Sequence, residues 1–472
     1  MIFKQYYLGC LSHASYIIAD EDARIAFIVD PQRDVDEYIA DAEKLGVTIQ
    51  HVLLTHLHAD FVSGHLELRE RTGAEIHIGA QAKTEYKASP IHDGDILGTE
   101  RIRLAFMETP GHSPESVSIV VYDLQKTPHV PYAVLTGDTL FIGDVGRPDL
   151  MAAIGWTAPQ LASMMYDSLH NKLLTLPDET LVYPAHGAGS LCGKHLSKET
   201  VSTIGMQRKT NYALQPMTKE EFVRMLTADQ PDAPAYFGYD AKLNSQERQT
   251  LETMLTHTLQ PLAASEVLAR QNEGAQLLDA RDADDYSAGH ITGSINVGLN
   301  GQYATWAGTV LDAKKPIIII ADEGQEHAAA MRLGRIGFDN IAGFLEFGMA
   351  AAGIPAESIE KTERIAPTQL GEMLSPNHST SKSPLILDVR GPGEWNNNHI
   401  PGSVNIPLNH LKDRLQEIPD NVEFIVHCQG GYRSSVAASV LQQNGIHNFK
   451  ELAGGFAAWV AIAPDVTPDV KV

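Results

Sequence analysis

The stretch LLTHLHADFVSGH, residues 53–65, sets His56, His58 and Asp60 at alternate positions directly after an apolar run. Imidazole and carboxylate donors in a loop that leaves a strand suit a cation, because the strand end holds the backbone while the side chains converge. Phe61 follows at once, and a phenyl ring cannot ligate. A lone HLH would be ordinary surface, but these donor types recur. His112 in TPGHSPES, Asp138 in LTGDTLFIGD and His186 in YPAHGAG each stand at a strand-to-loop boundary beside Gly or Pro.

A second chemistry is written near the other end. HCQGGYRSS places Cys428 after the apolar EFIV and before the helical SVAASVLQQ. A glycine-containing loop that opens a helix points backbone N–H groups inward, and the helix dipole adds positive potential. A cysteine there is expected to have a lowered pKa and to stabilise an anionic persulfide. Gly430, Gly431 and Tyr432 line this loop as substrate-binding positions, and Arg433 at its far end adds a fixed positive charge.

The elements that must position these residues read as α/β. Short apolar strands (AFIVD, HVLLT, SIVVY, YAVLTGD, TLVYPAHG) alternate with helical patterns such as VDEYIADAEKLG, which suggests a sandwich with polar residues gathered at strand ends. A helix-rich stretch, about 195–257, closes this domain. An internal repeat follows. LLDARDADDYSAGHITGSINV aligns with LILDVRGPGEWNNNHIPGSVNI, so that Asp279, Arg281, His290 and Gly293 match Asp388, Arg390, His399 and Gly402 at one offset. Linkers are expected at HTLQPLAASE and IEKTERIAPTQ. The expected domains are 1–257, 258–356 and 362–472, in keeping with about three domains for 472 residues.

A net charge of -23 with no basic run argues against nucleic acid or an anionic membrane surface as partner, since both repel such a chain. No apolar segment reaches the roughly 18 residues of a membrane span. The N-terminus lacks a basic start and a cleavage signature, so a cytoplasmic protein is expected. Three widely spaced cysteines, Cys10, Cys192 and Cys428, exclude a disulfide framework and fit a reducing compartment.

Over roughly residues 1–250 the spaced elements resemble the metallo-β-lactamase superfamily, which implies an αββα sandwich. In its two-metal members the first metal takes the matches of His56, His58 and His112, Asp138 bridges, and the second takes the matches of Asp60, position 61 and His186. With Phe61 the second set keeps only Asp60 and His186 beside the shared bridge. His56, His112 and Asp138 remain, the facial set of two imidazoles and a carboxylate expected of a non-haem Fe(II) oxygenase. GCLSHASYII, THLHADFVSGH, TPGHSPES, TGDTLFIGDVGRPD and YPAHGAGSLCGK together are similar to the persulfide dioxygenases. That resemblance implies one Fe(II) per chain on His56, His112 and Asp138, with His58, Asp60 and His186 orienting the ligands. It implies oxidation of a glutathione or coenzyme A persulfide by O2 to sulfite and thiol. Arg147 in DVGRPD is expected to grip a substrate carboxylate or phosphate. Cys192 in GAGSLCGK is a candidate sulfur carrier near the iron, and Cys10 is read as core.

The layout LDVRGPGEW, HIPGSVNIP, VHCQGGYRS and LAGGFAAW resembles a rhodanese domain, which moves sulfane sulfur through a cysteine persulfide. The six residues from Cys428 to Arg433 fit its loop, one shorter than that of phosphatases with a related fold. Asp388 and Arg390 are expected to form a structural ion pair. The middle domain resembles the same family but has no cysteine, and Asp322, Glu323 and Glu326 make its loop acidic. A structural or docking role is expected of it, within a homo-oligomer. The two activities suggest coupling through sulfite and thiosulfate. The competing expectations are a zinc thioesterase resembling the glyoxalase II branch and a sulfur-relay protein without O2 chemistry.

Overall fold

The computed structural model describes residues 1–462 except 152–154, 195, 229, 231, 235, 375–383 and 420–421. Residues 463–472, placed by the sequence in the last domain, lie outside the described residues. Two compact units form, the first comprising Met1–Met254 with Gly334–Gly337, the second beginning at Leu255. The expected boundary at 257 falls inside the helix Leu251–Thr258.

In the first unit two six-stranded sheets stack. One runs in the order Ile2–Leu8, His13–Asp20, Ile25–Val29, Thr48–Leu54, Glu75–Gly79, Ser89–Ile91. The other has Leu181–Pro184, Ala133–Gly137, Val117–Asp123 and Ile102–Glu108 as its consecutive middle strands. Ile18, Phe27, Val29 and Leu53 from the first meet Ile102, Leu104, Ile119, Val121 and Leu135 from the second in a continuous buried layer. Alternate residues of the same strands, such as Val52, Leu54, Ile76 and Ile78, form the core behind the first sheet with Tyr38 and Ala42 of the helix Asp36–Leu45. Helix Ala158–Asn171 covers the second sheet through Ala162, Met165 and Leu169. Period-two alternation in strands buried on both faces therefore produces the αββα sandwich.

The second unit holds two five-stranded parallel sheets of identical strand order. The first runs Pro261–Leu262, Ile341–Leu345, Ile317–Ile320, Gln276–Asp279, Ile295–Asn296. The second runs Arg364–Ile365, Phe449–Leu452, Phe424–His427, Leu385–Asp388, Val404–Asn405. Among the described residues no helix is long and apolar enough to cross a membrane.

Candidate metal centre and cysteine loop

The donors of the first unit sit where strands of both sheets end. His56, His58 and Asp60 follow the strand Thr48–Leu54, Asp138 follows Ala133–Gly137, His186 follows Leu181–Pro184, and His112 lies between Ile102–Glu108 and Val117–Asp123. Gly137 shows why the sheets can meet here: its φ is +52° and a Cβ would stand 2.6 Å from Thr55 Oγ1.

One donor atom each from His56, His112 and Asp138 lies within 4.8 Å of the others, and all three residues are buried. Asp138 Oδ2 is 3.9 Å from His56 Nε2 and 3.6 Å from His112 Nε2. None of these three atoms has a hydrogen-bond partner, a costly arrangement for buried polar groups unless a cation lies between them. The opposite ring nitrogens are committed. Thr55 Oγ1 donates to Asp30 Oδ2 at 2.7 Å, so it accepts from His56 Nδ1–H at 3.0 Å. His112 Nδ1–H donates to the Arg147 carbonyl at 3.0 Å. Both imidazoles are thereby oriented with Nε2 aimed at the centre. Burial and the neighbouring His58 keep His56 neutral. Burial would raise Asp138, but His186, His56 and His112 hold it well below the usual carboxylate range. The donor set fits a single divalent cation.

Asp60, His186 and Cys192 form an adjacent buried group. His186 Nδ1–H donates to Asp138 Oδ1 at 2.7 Å, and Nε2 is 2.9 Å from Asp60 Oδ2. Burial lowers the His186 pKa, yet the two carboxylates outweigh it and hold the ring well above its ordinary value. The sequence counted two donors beside the shared bridge, and Cys192 is a third that packing brings in. Burial and the nearby Asp60 and Asp138 push its thiol up. Phe61 is wholly buried nearby, its ring 4.1 Å from that of His13 and 4.4 Å from that of His58. His58 Nε2 lies 3.1 Å from Asp30 Oδ1.

Arg147 and Cys10 stand in settings other than those their sequence context suggests. The Arg147 guanidinium is engaged by Asp149, through Nε at 2.8 Å and Nη2 at 2.7 Å, and by the Leu191 carbonyl at 3.2 Å. It is buried in this loop, and its backbone carbonyl holds the far side of the His112 ring. Cys10 is only partly buried, because it sits in the turn between two strands rather than within one.

Residues that the motifs left without a role also shape the site. His13 pairs with His186 in an isolated bridge and sends a buried, unpartnered Nε2 toward the same region. Asp30, at φ +49°, anchors Thr55 through its amide as well as its hydroxyl. Asn244, in the helix Phe237–Ser245, donates to the carbonyls of His58 and Phe61 and accepts from the Ser63 amide. His13 lay within a quoted motif, whereas no local pattern marks Asn244.

In the last repeat Cys428 follows the strand Phe424–His427, and Gly431, at φ +102°, caps the helix Tyr432–Gln443. The Gly431 amide donates to Cys428 Sγ at 3.2 Å. Cys428 S–H points to Ser434 Oγ at 3.6 Å, which donates to Glu451 Oε1 at 2.6 Å. Arg433 pairs with Glu394 at 2.6 and 2.8 Å, so its charge is shared rather than free. Tyr432 turns toward the middle repeat: its hydroxyl donates to the Gly298 carbonyl at 2.7 Å. Beside it Ser435 donates to Asn296 Oδ1 at 2.6 Å. The Asp388–Arg390 pair is present, buried, at 2.7 Å.

Comparison with known proteins follows these divisions. Residues 8–186 match the metallo-beta-lactamase superfamily, and residues 263–352 and 367–462 each match the rhodanese-like domain. The mitochondrial persulfide dioxygenase ETHE1 of Bos taurus is 32% identical over 218 residues, covering 45% of this chain and 75% of that protein. A hydroxyacylglutathione hydrolase of Bradyrhizobium sp. is 30% identical over 239 residues, 50% of this chain and 83% of that protein. The crystal structure of a metallo-beta-lactamase from Staphylococcus aureus superposes with a TM-score of 0.65 at 32% identity. It covers 73% of this chain and 98% of its own.

Proposed function

Because the chain belongs to the ETHE1-type persulfide dioxygenases of the metallo-β-lactamase superfamily and carries two rhodanese-like domains, we propose that it oxidises a low-molecular-weight thiol persulfide with O2 and transfers sulfane sulfur through Cys428. The balanced oxidation is RSSH + O2 + H2O → RSH + SO3²⁻ + 2H⁺. The observation that carries this reading is the trio of buried, unpartnered donor atoms on His56, His112 and Asp138. Those residues would hold one Fe(II), which when bound supplies the redox centre for sulfur and dioxygen. Thr55 and the Arg147 carbonyl keep the two imidazoles in the ligating tautomer. Asp60 and His186 orient Asp138, and Phe61 fills the neighbouring volume with a ring that cannot ligate. The proximity of Cys192 to Asp60 and His186 supports its role as a sulfur carrier.

In the last repeat the Cys428 persulfide passes its outer sulfur to sulfite: Cys–S–S⁻ + SO3²⁻ → Cys–S⁻ + S2O3²⁻. The Gly431 amide stabilises the thiolate released, and Ser434 with Glu451 offers a route by which a proton returns to it. The middle repeat positions the active helix through Asn296 and Gly298. A cytoplasmic setting and a homo-oligomer belong to the same proposal.

Metal content of anaerobically purified protein, paired with O2 uptake on glutathione persulfide and coenzyme A persulfide, tests the oxidation. About one iron per chain at the His56 site with persulfide-dependent uptake is expected. One observation favours a second reading: Cys192 restores a third donor beside Asp60 and His186, as a zinc-dependent thioesterase would require. Two zinc ions at these buried groups, thioester cleavage and no O2 uptake would establish that reading instead.

A further inference from the structure

A second cluster of metal-ligating side chains lies in the first unit apart from the buried centre. His51 belongs to the strand Thr48–Leu54, and Glu75 and His77 belong to the neighbouring parallel strand Glu75–Gly79. The register pairs His51 with Glu75 and Leu53 with His77. Val52, Leu54, Ile76 and Ile78 point into the core behind the sheet, so period-two alternation puts His51, Glu75 and His77 together on the opposite face. Their side chains are 17%, 55% and 11% exposed, which places the cluster at the solvent rim of the layer between the sheets.

Three particular atoms converge. His51 Nδ1 is 3.0 Å from His77 Nε2, and Glu75 Oε2 is 4.0 Å from the first and 3.8 Å from the second. Two nitrogens bound to one cation at about 2.1 Å each stand roughly 3.0–3.4 Å apart when the angle between them is near 90–110°. The imidazoles already have that spacing, and the exposed Glu75 can close the remaining gap by a side-chain rotation. The rest of the cluster is oriented for this role. The Phe27 ring stacks on His51, with centroids 5.1 Å apart and an interplanar angle of 12°. Ser89 donates to Glu75 Oε1 and leaves Oε2 to face the nitrogens. Burial lowers both histidines and favours the neutral rings, and the single proton of the His51–His77 hydrogen bond would leave as a cation takes its place.

We propose that His51, Glu75 and His77 bind a divalent cation of the zinc class, clamping the strand that leads into His56 to its neighbour. Two imidazoles and one carboxylate select Zn²⁺, Co²⁺, Ni²⁺ or Cu²⁺ over Mg²⁺ and Ca²⁺, which take all-oxygen shells. The exposed side leaves the remaining coordination positions to water. The site stands apart from the persulfide chemistry, and its loss leaves O2 uptake intact.

The test is Zn²⁺ and Co²⁺ binding to the full chain already loaded at its buried centre, followed by equilibrium dialysis, elemental analysis and visible cobalt absorption. The parent is expected to retain one further equivalent and to gain thermal stability with Zn²⁺. The His51→Ala/His77→Ala variant is expected to lose both gains, and Glu75→Gln, which preserves the imidazole pair, to bind at least tenfold more weakly. Equal stoichiometry and equal cobalt spectra in parent and double variant would overturn the site. Persulfide-dependent O2 uptake, measured on the same samples, reports the buried centre separately. The variant also removes an ambiguity: iron at His56 and zinc at the rim would total two metals in a parent chain that is no dinuclear hydrolase.

Discussion

The two rhodanese-like repeats share their strand order and a matching set of internal bonds, but only one carries a reactive group. Asp279 holds Arg281 at 2.6 Å as Asp388 holds Arg390 at 2.7 Å. Asn296 donates to the carbonyls of Asp279 and Arg281, and Asn405 does the same for Asp388 and Arg390. His290 stacks on Tyr286 and His399 on Trp395, each imidazole donating to the carbonyl four residues back. Strand register puts Ala321 where the other repeat has Cys428, and the next residues are Asp322 and Glu323 rather than Gln429 and Gly430. A repeat without the cysteine keeps every member of the Asp–Arg–Asn–His set. That set therefore serves folding in both repeats, and what separates them is the sequence of the loop.

The largest effect that would sharpen this contrast comes from moving the thiol. Cys428→Ser should lower sulfur transfer to sulfite at least about 10³-fold, since no other described group replaces the nucleophile. Thiosulfate persisting as its main enzymatic product would sink the proposed coupling. Adding Ala321→Cys in that background should restore less than roughly 1% of the activity, because Asp322, Glu323 and Glu326 face a persulfide anion with negative charge. A substantial recovery would show that the scaffold, not the loop, confers reactivity.

Next come the shared ion pairs. Asp279→Ala and Asp388→Ala each strand a buried guanidinium and should cost about 3–5 kcal/mol in denaturant unfolding, to similar extents in the two repeats. A cost confined to Asp388 would mean that the pair is part of the active site.

A smaller difference is pH-dependent and belongs to the last repeat. Burial raises Glu451 from 4.5 to about 7, despite opposing contributions from Ser434 and Arg364. The equivalent register position in the middle repeat is Phe344. A folded-state pKa above the unfolded one means that stability is full below the unfolded value and is lost as pH rises through the folded one. The window runs from about pH 4.5 to 7 and is worth on the order of 3 kcal/mol. Glu451→Gln should remove most of that slope while still accepting from Ser434. An unchanged slope across this window would assign it to another group.

Much of the architecture was legible because strand alternation, the repeated Asp–Arg–His–Gly spacing and the cysteine loop are local patterns. The strand ends carrying His56, His112, Asp138 and His186 were legible too, since each pairs a donor with an adjacent turn residue. The partners of long charged and aromatic side chains were not. Arg147 is held by Asp149, Arg433 by Glu394, and Tyr432 by the Gly298 carbonyl. Flexible side chains at a loop can reach several groups, and sequence spacing does not choose among them.

By itself, the sequence determined the order of the domains, the kinds of donor available at the centre, and which repeat holds a cysteine in its loop. Tertiary structure alone decided which donor atoms converge and which already have a hydrogen-bond partner. It brought Cys192 beside Asp60 and His186, put His13 against Phe61, and aligned His51 with Glu75 and His77. The reason is physical: a motif sets residue type and backbone direction over a few positions. The convergence of single atoms depends on inter-strand register and on helices such as the one carrying Asn244, which closes over the loop from far along the chain.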